Sequence, residues 1–167
     1  MTLLKTTQVS IAGDPARGRL YVALPAWCRV AAFDFVTGAF IGLVAGMPGL
    51  APNTNNCGFT GDNGPGSSAL LSNDLGQMDV APNGDLYIAD TGNNRVRRVQ
   101  LATGIITTVA GDGRIASLGD LAQAVDAALN APIGVKYMET PDPNVAGGMR
   151  KLLYITEATN LRRVLLN

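Results

Sequence analysis

The sequence predicts an all-β chain made of successive antiparallel sheets, and three observations carry that expectation. Twenty glycines and nine prolines are spread over 167 residues with no long helical run, the profile of short elements joined by tight turns. Hydrophobic residues make up 47% and charged residues 16%, enough apolar side chains for a packed core and too few charges for a disordered chain. The chain also repeats itself. LYIADTGNNRVRRVQLATGIITTVAG (Leu86 to Gly111) is matched upstream by LYVALPAWCRVAAFDFVTGAFIGLVAG (Leu20 to Gly46) and downstream by LYITEATNLRRVLLN (Leu153 to Asn167), which sets Tyr21, Tyr87 and Tyr154 at one repeat position, 66 and 67 residues apart. A fixed period of this kind marks stacked repeat units rather than a unique fold.

Each unit reads as four strands. In the middle copy GQMDVAP is a first strand and Asn83-Gly84 a two-residue hairpin signal. DLYIAD follows as a short apolar, β-prone second strand buried on both faces, ending at Asp90. Thr91 to Asn94 turn the chain into RVRRVQL, and Ala102-Thr103-Gly104 turn it again into the β-branched IITTVAG. QVSIAGDPARG takes the first-strand place upstream and APIGVKYMETPDPNVAGGMRK downstream, where Thr140 to Asn144 and Gly147-Gly148 mark a longer surface loop. Between the units, Cys57 to Asp74 and Gly111 to Pro132 are related linkers. They share a Gly-Asp element followed by small residues, SSALL or AVDAALNAP, with room for a single helical turn.

Charge and residue type exclude several functions. Thirteen basic and thirteen acidic residues leave no net field to gather nucleic acid or an anionic membrane. Histidine is absent, which removes the commonest general base and the usual ligand for zinc. Cys28 and Cys57 form neither a C-x-x-C pair nor a disulfide-dense framework, so two free thiols are expected. The start, MTLLKTTQVSIAGD, lacks a basic segment followed by a sustained apolar one, and AFIGLVAGMPGLAP is short and broken by Gly and Pro. No signal peptide or membrane span is expected, and the chain reads as soluble with its compartment open.

LYIADTGNNRVRRV with its following ITTVAG resembles the NHL repeat, and GFTGDNGPGSSALLSND resembles the linker of long-repeat bacterial and teneurin-type members. The resemblance implies a partial β-propeller of about two and three-quarter four-stranded antiparallel blades: blade one about 4–46, blade two about 75–111 and an incomplete blade three about 131–167. Rings of this kind use four to eight blades. The expected origin is therefore a fragment of a longer propeller, with self-association to close the ring and an open arc with exposed edges near Leu4 to Ile11 and Leu161 to Asn167 as the other possibilities.

The resemblance implies a non-enzymatic binding or scaffold module that meets a protein or extended ligand through its blade loops, with no cofactor. The candidate binding residues are the repeat-turn positions Asp90, Asn93, Asn94, Arg95, Glu157, Asn160 and Arg162. Their structural reading is that Asn93-Asn94 supply left-handed turn geometry while Asp90 and Arg95 pair across the hairpin. Arg95, Arg97 and Arg98 with Arg162 and Arg163 offer a basic stripe, but the tyrosines lie in buried strands and leave no stacking platform, so nucleic acid is not the expected partner. Asp62, Asn63, Asp112 and Asp120 supply one carboxylate or so per linker turn, short of a calcium site, and no metal is expected. The alternative is a fragment of a gluconolactonase-like or other hydrolytic propeller using Asp79, Asp90 and Glu157. These recur as repeat positions instead of converging, and no catalytic residue is assigned.

Overall fold

The computed structural model describes residues 9–49 and 56–166. The part of the expected first edge that precedes residue 9 lies outside them, as do the first residues of the expected blade one and the last of blade three. Among the described residues there is no α-helix, and no helix is long and apolar enough to cross a membrane.

Three antiparallel sheets follow one another along the chain. The first is β1 (Ile11–Asp14), β2 (Arg19–Leu24), β3 (Arg29–Asp34) and β4 (Phe40–Ala45), paired in that order. The second contains β5 (Gly64–Pro65), β6 (Met78–Val80), β7 (Asp85–Asp90), β8 (Arg95–Gln100) and β9 (Ile105–Ala110), in the order β5-β9-β8-β7-β6. The third is β10 (Gly134–Pro141), β11 (Met149–Thr156) and β12 (Leu161–Leu166). The chain is thus an all-β partial propeller. The sequence reading missed β5, a two-residue strand by which the linker adds itself to the outer edge of the second sheet.

The repeat is exact in register. Tyr21 lies opposite Ala12 and Ala32, Tyr87 opposite Asp79 and Arg98, and Tyr154 opposite Lys136 and Arg163, each on the second strand of its sheet. Because side chains alternate faces along a strand, β7 serves two cores at once. Leu86 and Ile88 pack with Tyr21, Ala23 and Val30 of the first sheet. Tyr87 and Ala89 pack with Val135, Tyr137 and Ile155 of the third, and the Tyr87 and Tyr137 rings stack at 5.9 Å. All six residues of β7 are buried for this reason. Tyr154 points the same way as Tyr87 but meets no following sheet among the described residues, and it is only half-buried.

The first strands of the three sheets lie side by side. Met78 N–H donates to Ser10 Oγ at 3.1 Å, Gln77 N–H to the Ile133 carbonyl at 2.7 Å, and Tyr137 N–H to Asp79 Oδ2 at 2.8 Å. These bonds fix the inner edge of each sheet to the next, which is the radial arrangement of a propeller.

Two local expectations change. The Asn83-Gly84 signal sits in a four-residue connection, Ala81 to Gly84, in which Ala81 N–H still donates to the Asp85 carbonyl at 2.9 Å and the turn closes with Gly84 N–H on the Ala81 carbonyl. The downstream loop is shorter than expected: β10 runs on through Thr140 and Pro141, and only 142–148 loop out, held by Arg150 on Asp142 at 3.1 Å. The linkers do contain the anticipated single turns, both 3-10, at Gly66–Ser68 and Ala124–Asp126. The glycine of each VAG element is obligatory. Gly46 and Gly111 have φ of +93° and +92°, and a Cβ on either would strike the backbone carbonyl oxygen of Cys28 or Asn94.

Candidate functional site

The repeat-turn residues gather around two buried carboxylates, one at the end of β7 and one just after β11. Asp90 has no exposed surface. Its Oδ1 accepts the Ser72 N–H at 2.9 Å and its Oδ2 the Asn93 Nδ2 at 2.8 Å, while Arg97 Nη1 stands 3.5 Å from Oδ2. Burial pushes the Asp90 carboxyl above the usual carboxylate range, and the Asn93, Ser72 and Arg97 donors pull against that rise.

Arg97, itself fully buried, extends the network into the linker. Its Nη2 meets Asp62 Oδ1 at 2.8 Å, and its guanidinium lies near the Thr60 and Leu70 carbonyls at 3.4 Å each. Thr108 on β9 donates its hydroxyl to the other Asp62 oxygen at 2.7 Å. Asn93 Nδ2 also donates to the Gly58 carbonyl at 2.7 Å. Asp90, Arg97 and Asn93 therefore clip residues 58–72 onto the second sheet.

The third sheet repeats the clip. Glu157 Oε1 accepts the Asn130 N–H at 2.9 Å, and its Oε2 accepts the Ser117 hydroxyl at 2.6 Å and Asn160 Nδ2 at 3.3 Å. Arg162 holds Asp120 at 2.8 Å and lies 3.4 Å from the Leu118 and Ala128 carbonyls. By register Arg162 matches Arg97, since they face Ile155 and Ile88 at equivalent positions. The shorter turn between Glu157 and Arg162 leaves Asn160 in the role of Asn93.

Two expectations are corrected, and one alternative falls away. Asp90 and Arg95 are opposite each other in the ladder, yet they do not pair. The buried Arg97 takes the carboxylate because it has no water to turn to, while Arg95 lies over the Phe59 ring at 3.7 Å and donates to the Asp112 and Asn93 carbonyls at 2.6 and 3.0 Å. The basic stripe does not form, for Arg97 is inside and Arg98 turns to Asp85 at 3.8 Å. The cysteines are not free thiols. Cys28 and Cys57 form a disulfide across a Cα–Cα distance of 5.3 Å, brought together by a linker path that spacing alone could not reveal.

Of the Asn93-Asn94 pair, Asn94 alone adopts the left-handed conformation, at φ +52°, and Asn93 is in the preceding 3-10 turn. Asn94 Oδ1 accepts the Ala131 N–H at 3.0 Å and its Nδ2 approaches the Gly113 carbonyl at 3.4 Å, so it ties the second linker. Cys28 is its counterpart, left-handed at φ +54° after the same kind of turn.

Asp79, Asp90 and Glu157 stand at three separate places, each engaged by protein donors; Asp79 accepts from Lys136 Nζ and Tyr137 N–H, both at 2.8 Å. Among the described residues no three Cys, Asp or Glu side chains group as a metal site. The residues missed by sequence reasoning are Phe59, Ser72, Thr108 and Ser117. The shared Gly-Asp of the linkers was their signal, since Asp62 and Asp120 are where Arg97 and Arg162 end.

Residues 78–99 match the NHL repeat model. Among solved structures the chain is similar to an auxiliary nutrient binding protein of Bacteroides ovatus, at 21% identity and a TM-score of 0.61, over 93% of this chain and 36% of that one. It is similar also to an auxiliary nutrient binding protein of Bacteroides thetaiotaomicron, at 22% identity and a TM-score of 0.58, over 92% of this chain and 37% of that one. The chain thus spans little more than a third of these proteins. No curated protein sequence matches it. The matched repeat at residues 78–99 and the three radially packed sheets make the chain a partial β-propeller that carries an NHL repeat in its second sheet.

Proposed function

We propose that the chain is a non-enzymatic binding or scaffold module whose blade loops meet a protein or an extended ligand. The observation that supports this best is the duplicated clip. Asp90 with Arg97, and Glu157 with Arg162, spend their hydrogen-bonding capacity on the linkers, which keeps the loops of successive blades in one fixed relation. Asp90, Asn93, Asn94, Arg95, Glu157, Asn160 and Arg162 then contribute to binding by holding the presenting loops, and the ligand touches the loops they hold. Fold alone does not choose between adaptor and enzyme. Two proteins that share the fold are auxiliary nutrient binding proteins, in keeping with this reading.

The test compares Asp90→Asn and Glu157→Gln with the parent chain for metal-dependent lactone and ester hydrolysis, with circular dichroism as the control for folding. Neither variant is expected to change a background rate. A hydrolytic rate in the parent that either substitution abolishes while the sheets stay intact would replace the binding reading with the gluconolactonase-like one.

A further inference from the structure

The two interfaces between sheets are built on one register, but side chains that fill the second interface are small in the first. Tyr87 faces the third sheet, with Arg98 opposite it on β8 and Thr107 opposite Arg98 on β9. Arg98 is the hydrogen-bond partner of the Tyr87 hydroxyl, and Tyr137 of β10 lays its ring on Tyr87 at 5.9 Å with 15° between the planes. Tyr21 faces the second sheet in the same way. Around it the matching places hold Ala32 for Arg98, Gly42 for Thr107 and Val80 for Tyr137. A Cβ on Gly42 would meet nothing within 4 Å.

These smaller residues leave a cleft of about 410 Å³ between the first and second sheets, within the size range of small-molecule sites. It opens at the strand ends opposite the clips, and Ala32, Val44 and Leu101 form its apolar wall. Tyr21 lines it and is 4% exposed, yet no described residue hydrogen-bonds its hydroxyl. A buried hydroxyl without a protein partner calls for one from outside. Two arginines stand at the same opening. Arg17 gives Nη1 to Asp14 at 3.0 Å and lies against Gly84 of the second sheet's first turn. Arg19 Nη1 donates to the Gly18 carbonyl at 3.3 Å and is 4.0 Å from Asp34. Both side chains are 39% exposed. The charge at this position is reversed between the blades, for Arg19 precedes Tyr21 by two residues as Asp85 precedes Tyr87.

We propose that this cleft binds a small aromatic carboxylate, its ring against Tyr21 where the next interface sets Tyr137 on Tyr87, and its carboxylate accepting from Arg17, Arg19 and the Tyr21 hydroxyl. A guanidinium fork matches a planar carboxylate, and a tyrosine face favours a flat ring over an aliphatic chain. Asp14 and Asp34 offset the two arginines. The cleft therefore suits a monoanion held by directed hydrogen bonds and not a multiply charged phosphate. Such a ligand restores to the first interface the ring and the hydroxyl partner that Tyr137 and Arg98 supply in the second. This site is separate from the blade loops, and its binding does not depend on theirs.

The probe is phenylacetate, titrated calorimetrically into the full chain, with acetate, 2-phenylethanol and inorganic phosphate as comparisons. One-to-one binding with a Kd of about 1 mM or tighter is expected, and acetate, 2-phenylethanol and phosphate should each bind at least about tenfold more weakly, lacking the ring, the charge or the planar fork. Tyr21→Phe, which keeps the ring, and Arg19→Gln should each weaken phenylacetate about tenfold, the loss of one hydrogen bond to a charged group. Ala32→Arg with Arg19→Asp installs the second-blade pair, Arg98 and Asp85, and should abolish binding in a chain that still melts cooperatively. Should that filled variant fail to fold, the two single variants decide. No saturable binding of phenylacetate, equal binding of any comparison compound, unchanged affinity in Tyr21→Phe and Arg19→Gln, or binding that survives the filled cleft would each overturn the proposal.

Discussion

The first blade and the second hold their linkers by different chemistry at the same backbone positions. In the second blade the clip is electrostatic, Asp90 and Arg97 with Asp62, and the left-handed Asn94 adds hydrogen bonds to the following linker. In the first blade the ladder positions of Asp90 and Arg97 are Leu24 and Ala31, and the left-handed position is Cys28, bonded to Cys57. Both members of the charged pair are replaced together by apolar residues, so neither half of the pair is left behind at these two positions. Arg29 keeps the role of Arg95: it lies over Trp27 at 5.3 Å and donates to the Met47 carbonyl at 2.7 Å, much as Arg95 lies over Phe59 and donates to Asp112. The backbone of the repeat is therefore constant while the means of fastening it varies in coordinated sets.

The strongest way to break this comparison is to make the second blade half like the first. Arg97→Ala alone leaves Asp90 buried with its charge uncompensated and should destabilise by about 3–5 kcal/mol. Asp90→Leu with Arg97→Ala reproduces the first-blade pair, Leu24 and Ala31, and should recover most of that loss, because replacing a whole buried pair by apolar residues is often nearly neutral. Urea denaturation of the two variants measures the coupling. Equal destabilisation by the single and double substitutions would show that the first-blade solution cannot be moved to the second.

The converse experiment removes the covalent fastening. Cys28→Ser with Cys57→Ser opens a loop closed across 29 residues and should cost about 3–4 kcal/mol by chain-entropy reasoning. Cys28→Asn with Cys57→Ile installs the second-blade residues, since Cys57 and Ile115 bridge to Leu71 and Leu129 in the same way. It should be more stable than the double serine variant, in melts run without reductant. If the two variants melt together, the hydrogen bonds of Asn94 do not do the work of the disulfide.

How much of this was legible in the sequence depends on the range of the interaction. The strands, their order and the equivalence of Tyr21, Tyr87 and Tyr154 follow from alternation and period, which are local or repeated signals. The turn after β7 was legible because Asn94 needs only its own backbone geometry. The partner of Asp90 was not. Arg95, Arg97 and Arg98 all stand within reach on paper, and the choice of Arg97 is made by burial, which depends on residues 58–72 folding over it. The Cys28–Cys57 bond is hidden for the same reason, being set by the path of a linker and not by spacing. Asp62 and Asp120 were weighed as cation ligands or turn residues, and only their approach to Arg97 and Arg162 shows them as members of the clips.

Comparing the second blade with the third gives a smaller, graded expectation. Asn93→Ala removes two short hydrogen bonds, one to the buried Asp90 and one to the Gly58 carbonyl, and should cost about 1.5–3 kcal/mol. Asn160 is exposed, its bond to Glu157 is longer at 3.3 Å, its other bond goes to the Ser117 hydroxyl oxygen at 2.8 Å in an exposed setting, and Ser117 already donates to the same Glu157 oxygen at 2.6 Å. Asn160→Ala should therefore cost about 1 kcal/mol or less. Matched thermal melts of the two variants check the order, and a larger effect at Asn160 would reverse the ranking of the two clips.

The smallest effect concerns the tyrosines of the repeat. Burial, with the Asp85 charge adding to it, pushes the Tyr87 phenol up from its ordinary 10.0 to about 12, while burial and then Asp14 raise Tyr21 in the same direction. A group that holds its proton more tightly when folded contributes stability that is complete below the unfolded pKa and is lost as pH rises through the folded one. The loss attributable to Tyr87 therefore falls between about pH 10 and pH 12. Tyr87→Phe keeps the ring stacked on Tyr137 and removes the titration, so its melting temperature should decline less steeply than that of the parent over that interval. Parallel curves for the two proteins would mean that the phenol ionises as freely folded as unfolded, and that the face of β7 turned toward the third blade is open to water.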